Sequence, residues 1–454
     1  MRILLTAHQF LPKHSAGTEV LARDTGVELL RRGHEVNVLT VDPDPDARPT
    51  ELRAHDYEYA GLDVHALQLP PFPSSHEELL WEYRRDDLAE HLREYVDTVQ
   101  PDAIHVFHLL GLSGTAVEVF AEAEVPLLVT ATDFWAFCYR GTLERRTGEL
   151  CRGPDGTAAN CLECRKAETW FPARALPGRP RRYYARLARQ SRQRSEDEYN
   201  KAALVRTVIE RGEYLRERLA RTDAILVPTN LTRQLFLDNG FAPELVHHSP
   251  YGMDVSRFRA VRRRRGTDGP DAELRLGFIG TLAEHKGLHV LVEAFRQLPT
   301  NGRVTLRICG SPDTVPEYTR RILTQIAGHP GINFAGPFPN SEMASELDRI
   351  DALVVPSMWY ENAPLVVYSA LAAGVPVVAT DLGGLSEFVV HDRNGLLFER
   401  GDARALAAQL SRLRDEPGLL ARLSAESHEP RDVTDSVDEM LTLYRAFARQ
   451  RSYA

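Results

Sequence analysis

Short, nearly unbroken apolar runs alternate with longer stretches of helical periodicity along most of the chain, and this alternation restricts the fold more than any other feature. Arg2–Ala7 is the first run and His8–Ala16 a loop holding Pro12; from Gly17 onward Val20, Leu21, Val27, Leu29 and Leu30 recur at roughly helical spacing. Arg31 and Arg32 before Gly33 close that predicted helix, and Glu35–Thr40 alternates as a strand. A strand that ends in a glycine-containing loop and feeds a helix gathers backbone N–H groups at the helix start, a place suited to phosphate. The spacing predicts a helix over Asp86–Val99, a strand over Ala103–Phe107, a helix over Ser113–Ala123 and a strand over Pro126–Thr130. After Asp133 the rhythm stops for about seventy residues and resumes with a strand at Ala224–Val227 and a helix at Thr229–Asn239.

A second series follows Arg262–Arg265 and Gly266–Pro270, a charged and then Gly/Pro-rich stretch read as an exposed loop near a domain junction. Its predicted strands are Leu274–Ile279, Arg303–Cys309, Ile332–Phe334, Ala352–Val355 and Pro376–Ala379. Its predicted helices are Gly287–Gln297, Glu317–Ala327, Ser341–Ile350 and Pro364–Ala373. The class is therefore α/β, with two Rossmann-like halves of about 250 and 160 residues, each a parallel sheet covered by helices on both faces.

Composition removes several function classes. The 454 residues are roughly three times the ~150-residue domain prior. With 43% hydrophobic and 26% charged residues the chain is neither disordered nor fibrous. A net charge of −9 and a pI near 6.0 exclude a whole-protein polycation for nucleic acid. The opening Met1–His8 is too short and too soon polar for a signal peptide, and the longest apolar run, Pro364–Thr380, is broken by Gly374 and Pro376. The expected setting is cytoplasmic.

The densest chemistry lies between Val355 and Gly384. Pro364 suits the first turn of a helix, where a missing N–H costs nothing. The N–H groups of Ala363, Leu365 and Val366 are then expected to face the strand ends, where an anion would lie, with Glu361 just before them able to hold sugar hydroxyls. The plainer alternative is a surface carboxylate beside an ordinary helix start. The run Glu361 to Ser369, then Ala373-Gly-Val-Pro-Val-Val-Ala-Thr380, Gly383-Gly384 and Glu387, resembles the C-terminal signature of family 4 retaining glycosyltransferases, which have the two-domain GT-B fold. His8–Thr40 is similar to that family's N-terminal loop, helix and strand, and Gly277–Leu282 with Lys286-Gly287 to the opening of its second domain.

The resemblance implies transfer of a sugar from a nucleotide-diphosphate sugar (UDP-, GDP- or ADP-linked) to a polysaccharide, lipid-linked or small-molecule acceptor, with no metal or other cofactor for the chemistry. Two domains would face a cleft: residues 1–250 as the acceptor domain, with an insert at about 134–205 that is Cys-rich and then Arg-rich; 251–272 as linker; 273–430 as the donor domain; and 431–454 as a helix returning to the first domain. Lys286 would neutralise the diphosphate, Leu365 and Val366 would share its charge, Glu361 and Asn362 would face the sugar, Gly17 would approach the phosphates, and Gly310 and Phe338 would frame the base. Three positions depart from the family pattern. Ser369 stands where a second Glu holds the ribose, Thr132 where a His precedes Asp133, and Thr281 where an Arg joins the phosphate clamp. These departures keep two alternatives open, a catalytically silent sugar-nucleotide-binding scaffold and another GT-B nucleotide-sugar enzyme such as an epimerase.

Two further features stand outside that reading. Cys138, Cys151, Cys161 and Cys164 fall in one stretch ending Cys-Leu-Glu-Cys, the spacing of a four-cysteine structural zinc knuckle, with an iron–sulfur cluster or a metal-free insert as alternatives. Between Arg174 and Arg221, Arg179, Arg181, Arg182, Arg186, Arg189, Arg192 and Arg194 interleave with Tyr183 and Tyr184. This stretch reads either as a surface for anionic lipid, giving peripheral contact at the inner membrane face, or as a solvated helical face offset by Glu196, Asp197 and Glu198. His105 and His108 lie on a predicted apolar strand and are expected in core or cleft-wall positions.

Overall fold

The computed structural model describes residues 1–47, 52–70, 76–165, 181–192, 201–264, 273–299 and 304–452. The chain divides into two compact units, residues 1–250 with 434–454, and residues 251–433.

The first unit is built on eight strands: β1 (Arg2–Thr6), β2 (Glu35–Pro43), β3 (Arg53–Tyr59), β4 (Leu62–Leu69), β5 (Ala103–Val106), β6 (Leu127–Thr130), β7 (Ala224–Val227) and β8 (Val246–His248). Their order is β3-β4-β2-β1-β5-β6-β7-β8, parallel throughout except for the β3–β4 hairpin. Ile3 lies beside Val36 on one side and Ala103 on the other. Ile3, Leu4, Leu5, Ile104, Leu127, Leu128 and Ile225 are fully buried, as a sheet sandwiched between helix layers requires. Strand order reverses between β1 and β5, so the crevice beyond their carboxyl ends is the topological switch point.

The hairpin is absent from the sequence reading for an identifiable reason. Its two-residue turn is Ala60-Gly61 with φ of 55° and 80°, the left-handed geometry of a tight hairpin turn. Gly suits the second position, but Ala replaces the Asn or Asp that would have signalled the first. The C-terminal helix Val433–Ser452 runs over the first sheet, where the buried Tyr444 hydroxyl lies 2.6 Å from His105 Nδ1.

The segment without βα rhythm folds into helices Ala159–Arg165, Arg181–Arg192 and Lys201–Leu219. They share an apolar cluster that includes Leu79, Leu162, Tyr184, Ala188, Leu204 and Val208. Tyr184 is thus a core residue rather than part of a basic surface, while Arg182, Arg186 and Arg189 occupy the exposed face of the same helix. Arg174, Arg179, Arg194, Glu196, Asp197 and Glu198 lie outside the described residues, as do the side chains of Arg181 and Arg192. No helix among the described residues is long and apolar enough to cross a membrane.

The second unit holds β9 (Leu274–Ile279), β10 (Val304–Cys309), β11 (Ile332–Gly336), β12 (Ala352–Val355), β13 (Val377–Thr380) and β14 (Gly395–Phe398). All are parallel, in the order β11-β10-β9-β12-β13-β14, with the reversal between β9 and β12. Leu276, Leu306, Val354, Leu288, Leu291, Leu406 and Leu410 fill the core on the face covered by helices Leu288–Phe295 and Ala403–Asp415. Of the stretch expected as an exposed loop, Arg262–Arg264 instead end a helix. Residues 251–264 carry the helix Arg259–Arg264, and Arg262 donates to the carbonyls of Leu371 and Ser427. Residues 265–272 lie outside the described residues.

Candidate functional site

In the second unit, most residues singled out from the sequence lie in loops beyond strand carboxyl ends, while Leu365, Val366 and Ser369 belong to the helix Leu365–Ala372. Lys286 follows β9, Gly310 follows β10, Phe338 follows β11, and Glu361 and Asn362 follow β12. Two loops are locked together to form the centre. Gly287 has φ +70°, and a Cβ there would stand 1.8 Å from the Pro356 carbonyl oxygen, so only glycine lets the post-β9 loop press against the post-β12 loop. The Met358 N–H then donates to the His285 carbonyl at 2.7 Å.

This docking brings the Lys286 Nζ to 2.7 Å from Glu361 Oε1. The same oxygen accepts from the Ser357 hydroxyl at 2.6 Å and the Trp359 indole N–H at 2.9 Å. Glu361 is buried, with 4% exposure. Burial alone would raise its pKa, but Lys286, Ser357 and Trp359 outweigh that and hold the carboxyl below the usual glutamate range. All three bonds fall on Oε1, so Oε2 has no protein partner among the described residues. The Lys286 ammonium also lies 4.8 Å from the Trp359 ring centroid.

Beside this pair starts the helix Leu365–Ala372. Pro364 occupies the N-cap rather than the first helical position (φ −72°, ψ 116°), and no side chain caps the helix. The N–H groups of Ala363, Leu365 and Val366 make no protein hydrogen bond among the described residues, leaving donors and the helix dipole directed at the loop ends. Asn362 donates to the Tyr251 hydroxyl at 2.9 Å and is buried. Gly310 N–H bonds the Gly336 carbonyl, Phe338 is half-buried and Thr281 is exposed. Ser369 is 2% exposed and its hydroxyl donates to the Leu365 carbonyl at 2.8 Å. That bond uses its one proton, so Ser369 could meet a ribose only by accepting from a ribose hydroxyl.

In the first unit, Gly17 opens the helix Gly17–Arg31 and is exposed. Thr132 turns its hydroxyl inward onto the Phe107 carbonyl at 3.0 Å. Asp133 is paired with His108, which therefore lines the end of the sheet. Its Oδ2 lies 3.0 Å from His108 Nε2, and its Oδ1 accepts the Trp135 N–H at 2.7 Å. The Leu110 N–H donates to His108 Nδ1, which places the imidazole proton on Nε2, facing Asp133. Burial would raise the Asp133 pKa, but His108 and the Trp135 N–H lower it on balance. The His8 ring lies 4.4 Å from that of His108, and its Nε2 is 3.5 Å from the carboxylate of buried Glu19. Burial and the neighbouring His108 push the His8 pKa down to about 3, and burial raises that of Glu19.

A signal for this cluster exists in the sequence. His8, His108 and Asp133 each stand two or three residues past the end of β1, β5 and β6, so parallel strands bring them to one place. His105, by contrast, is a core residue bonded to Tyr444 and, at 2.7 Å, to the Thr130 hydroxyl.

Cys138, Cys151, Cys161 and Cys164 are free thiols that line one small cavity. Burial raises the pKa of Cys138 and Cys161. Among the described residues, no three ligating side chains are gathered closely enough to hold a metal as they stand.

Two doubly wound parallel sheets in separate units, each with polar residues at its switch point, define the GT-B class of fold. Residues 16–252 match the glycosyl transferase 4-like domain and residues 273–416 match glycosyl transferases group 1. The chain belongs to the glycosyl transferase 4-like family.

It is 32% identical over 200 residues to a Salmonella typhimurium protein named as a colanic acid biosynthesis glycosyltransferase, covering 42% of this chain and 47% of that one. It is 31% identical over 252 residues to the D-inositol 3-phosphate glycosyltransferase of Stackebrandtia nassauensis, covering 52% and 56%. The chain thus spans about half the length of the curated relatives it matches. Among solved structures it resembles sucrose-phosphate synthase from Thermosynechococcus elongatus, with a TM-score of 0.61 at 19% identity, covering 100% of this chain and 97% of that one. It also resembles Anabaena HepE in complex with UDP-glucose, with a TM-score of 0.59 at 15% identity, covering 100% of both chains.

Proposed function

We propose that the chain is a retaining glycosyltransferase whose second unit binds a nucleotide-diphosphate sugar and whose acceptor is a hydroxyl of a saccharide, lipid-linked or small-molecule partner. The observation that carries this reading is the Lys286–Glu361 pair beside the unbonded N–H groups of Ala363, Leu365 and Val366. Structural relatives lend support: Anabaena HepE is in complex with UDP-glucose, and starch synthase IV from Arabidopsis thaliana is bound to ADP and acarbose.

In the proposed reaction the bond between the anomeric carbon and the diphosphate oxygen breaks. The acceptor oxygen forms the new bond on the same face, and its proton leaves with the diphosphate. Lys286 and the helix N–H groups stabilise the charge that builds on the departing diphosphate. Glu361 Oε2 accepts from donor-sugar hydroxyls, and the three donors on Oε1 keep that carboxylate ionised and oriented. Asp133 and His108 supply a fixed polar pair at the switch point of the first unit. The chemistry assigns no metal a role.

A second reading, nucleotide-sugar binding without turnover, is favoured by Ser369, whose hydroxyl proton is committed to the Leu365 carbonyl. A thermal-shift and hydrolysis screen against UDP-, GDP- and ADP-sugars, followed by acceptor trials, separates the two. Binding with release of sugar or transfer supports the enzyme. Binding to one nucleotide with no turnover on any acceptor supports the second reading, and no binding at all sinks both. In an active enzyme, Glu361→Gln should cut turnover by more than roughly tenfold while leaving the fold intact.

A further inference from the structure

Four of the five cysteines reach one cavity from three separate pieces of the insert. Cys138 lies in the loop after β6 and Cys151 at the end of a short antiparallel ribbon closed by the Glu144–Leu150 bridge. Cys161 and Cys164, three apart on the helix Ala159–Arg165, share one helical face. All four line a cavity of about 30 Å³, room for roughly one water-sized sphere. The ribbon is set by the Cys151 N–H bonding the Leu143 carbonyl and the Arg145 N–H bonding the Glu149 carbonyl.

Hydrogen-bond donors are aimed at two of the four sulfurs. The Tyr139 hydroxyl lies 3.4 Å from Cys164 Sγ, and the Asn160 amide nitrogen 3.7 Å from Cys151 Sγ. Such donors matter little to a neutral thiol but stabilise a thiolate, and they are the outer partners that orient metal ligands. Around them the segment is held by a buried ion-pair network. Glu82 accepts from Arg165 and from Arg211, and the Arg165 guanidinium sits 3.8 Å from the Tyr139 ring centroid.

We propose that Cys138, Cys151, Cys161 and Cys164 bind one zinc ion as a tetrahedral four-thiolate site. Its four protein ligands leave no open position, so its role is to clamp the insert onto the first unit. Binding draws the ribbon and the helix together around the ion and releases the thiol protons to solvent.

The test is elemental analysis of the full chain purified without metal-affinity resin, paired with titration of the native chain by an organomercurial while released zinc is read with a metal-sensitive dye. About one zinc per chain, released as about four thiols are taken up by the mercurial, is the expected result. Cys161→Ser and Cys164→Ser should each lower zinc content more than tenfold, whereas Cys309→Ser should retain it. Should those variants fail to fold, cobalt substitution of the wild-type chain serves instead, since a four-thiolate site gives an intense tetrahedral cobalt spectrum. A metal-free chain with no such spectrum overturns the proposal. So does stoichiometric iron, or recovery of these cysteines as disulfides.

Discussion

Glu361 receives three hydrogen bonds on one oxygen and keeps the other clear, and Lys286 is the donor that carries charge. Lys286→Gln preserves a donor of similar length but removes that charge. It should therefore lower turnover by roughly 10²–10³-fold, the range for loss of one preorganised electrostatic donor. Steady-state kinetics on the donor identified by the screen checks this. The depressed pKa of Glu361 means that its stabilisation is present above the ordinary glutamate value of 4.5 and is lost as pH falls through the lower folded value. Donor binding measured between pH 8 and 5 should therefore show no titration from this group. In the proposed reaction His108 would act through Asp133, so His108→Ala should reduce transfer by about tenfold and shift the pH profile as Asp133 loses its donor. His108→Gln, which keeps an N–H, should recover part of the loss. Unchanged profiles in both variants would mark the pair as structural.

Among the elements, the loop joining β9 to the helix Leu288–Phe295 is held by a close backbone approach. Its Gly287 combines a left-handed backbone with contact against the Pro356 carbonyl, and the Met358–His285 bond depends on that approach. Gly287→Ala should force the two loops apart, destabilise the second unit by about 2–4 kcal/mol and separate Lys286 from Glu361. Thermal unfolding and donor titration on one sample check both consequences. A variant with wild-type melting and donor affinity would show that the loop tolerates a side chain and that the contact is not required.

Over the whole molecule, acid sensitivity should concentrate in the first unit. His105 and His8 are both held neutral there, with pKa values lowered from 6.5 to about 3 by burial. The sign follows from linkage. Below pH 6.5 the unfolded chain takes up protons that the folded chain refuses, so stability is complete above 6.5 and falls progressively toward 3. At about 1.4 kcal/mol per pH unit for each fully buried group, the loss by pH 5 is of order 3 kcal/mol, allowing for the partial exposure of His8. Calorimetry from pH 7.5 to 5 should show one transition moving down faster than the other. The faster one should report the first unit, whose described tryptophans are Trp81 and Trp135; Trp359 lies in the second. Parallel shifts of the two transitions would refute the assignment.

The α/β class, the parallel strands and the residues around Glu361 were legible in the sequence because local signals carry them. Apolar runs such as Ala352–Val355 and Leu274–Ile279 can only be buried strands in this setting, and Lys286, Glu361 and Pro364 follow strand ends at short range. Where two distant pieces of chain had to meet, local pattern was silent. The Ala60-Gly61 turn lacks the usual residue at its first position. Arg262 looks solvent-bound until it meets the Leu371 carbonyl, and Tyr184 looks like part of a basic surface until its helix docks on Leu204 and Val208. His108 and Asp133 are 25 residues apart, and only the neighbouring register of β5 and β6 brings them into contact. Periodicity and side-chain chemistry therefore determined the elements and the residue types at the site. Which lysine met which carboxylate, and which histidine met Asp133, was decided by packing, because hydrogen bonds between elements form only where the tertiary structure has already excluded water and fixed the backbone.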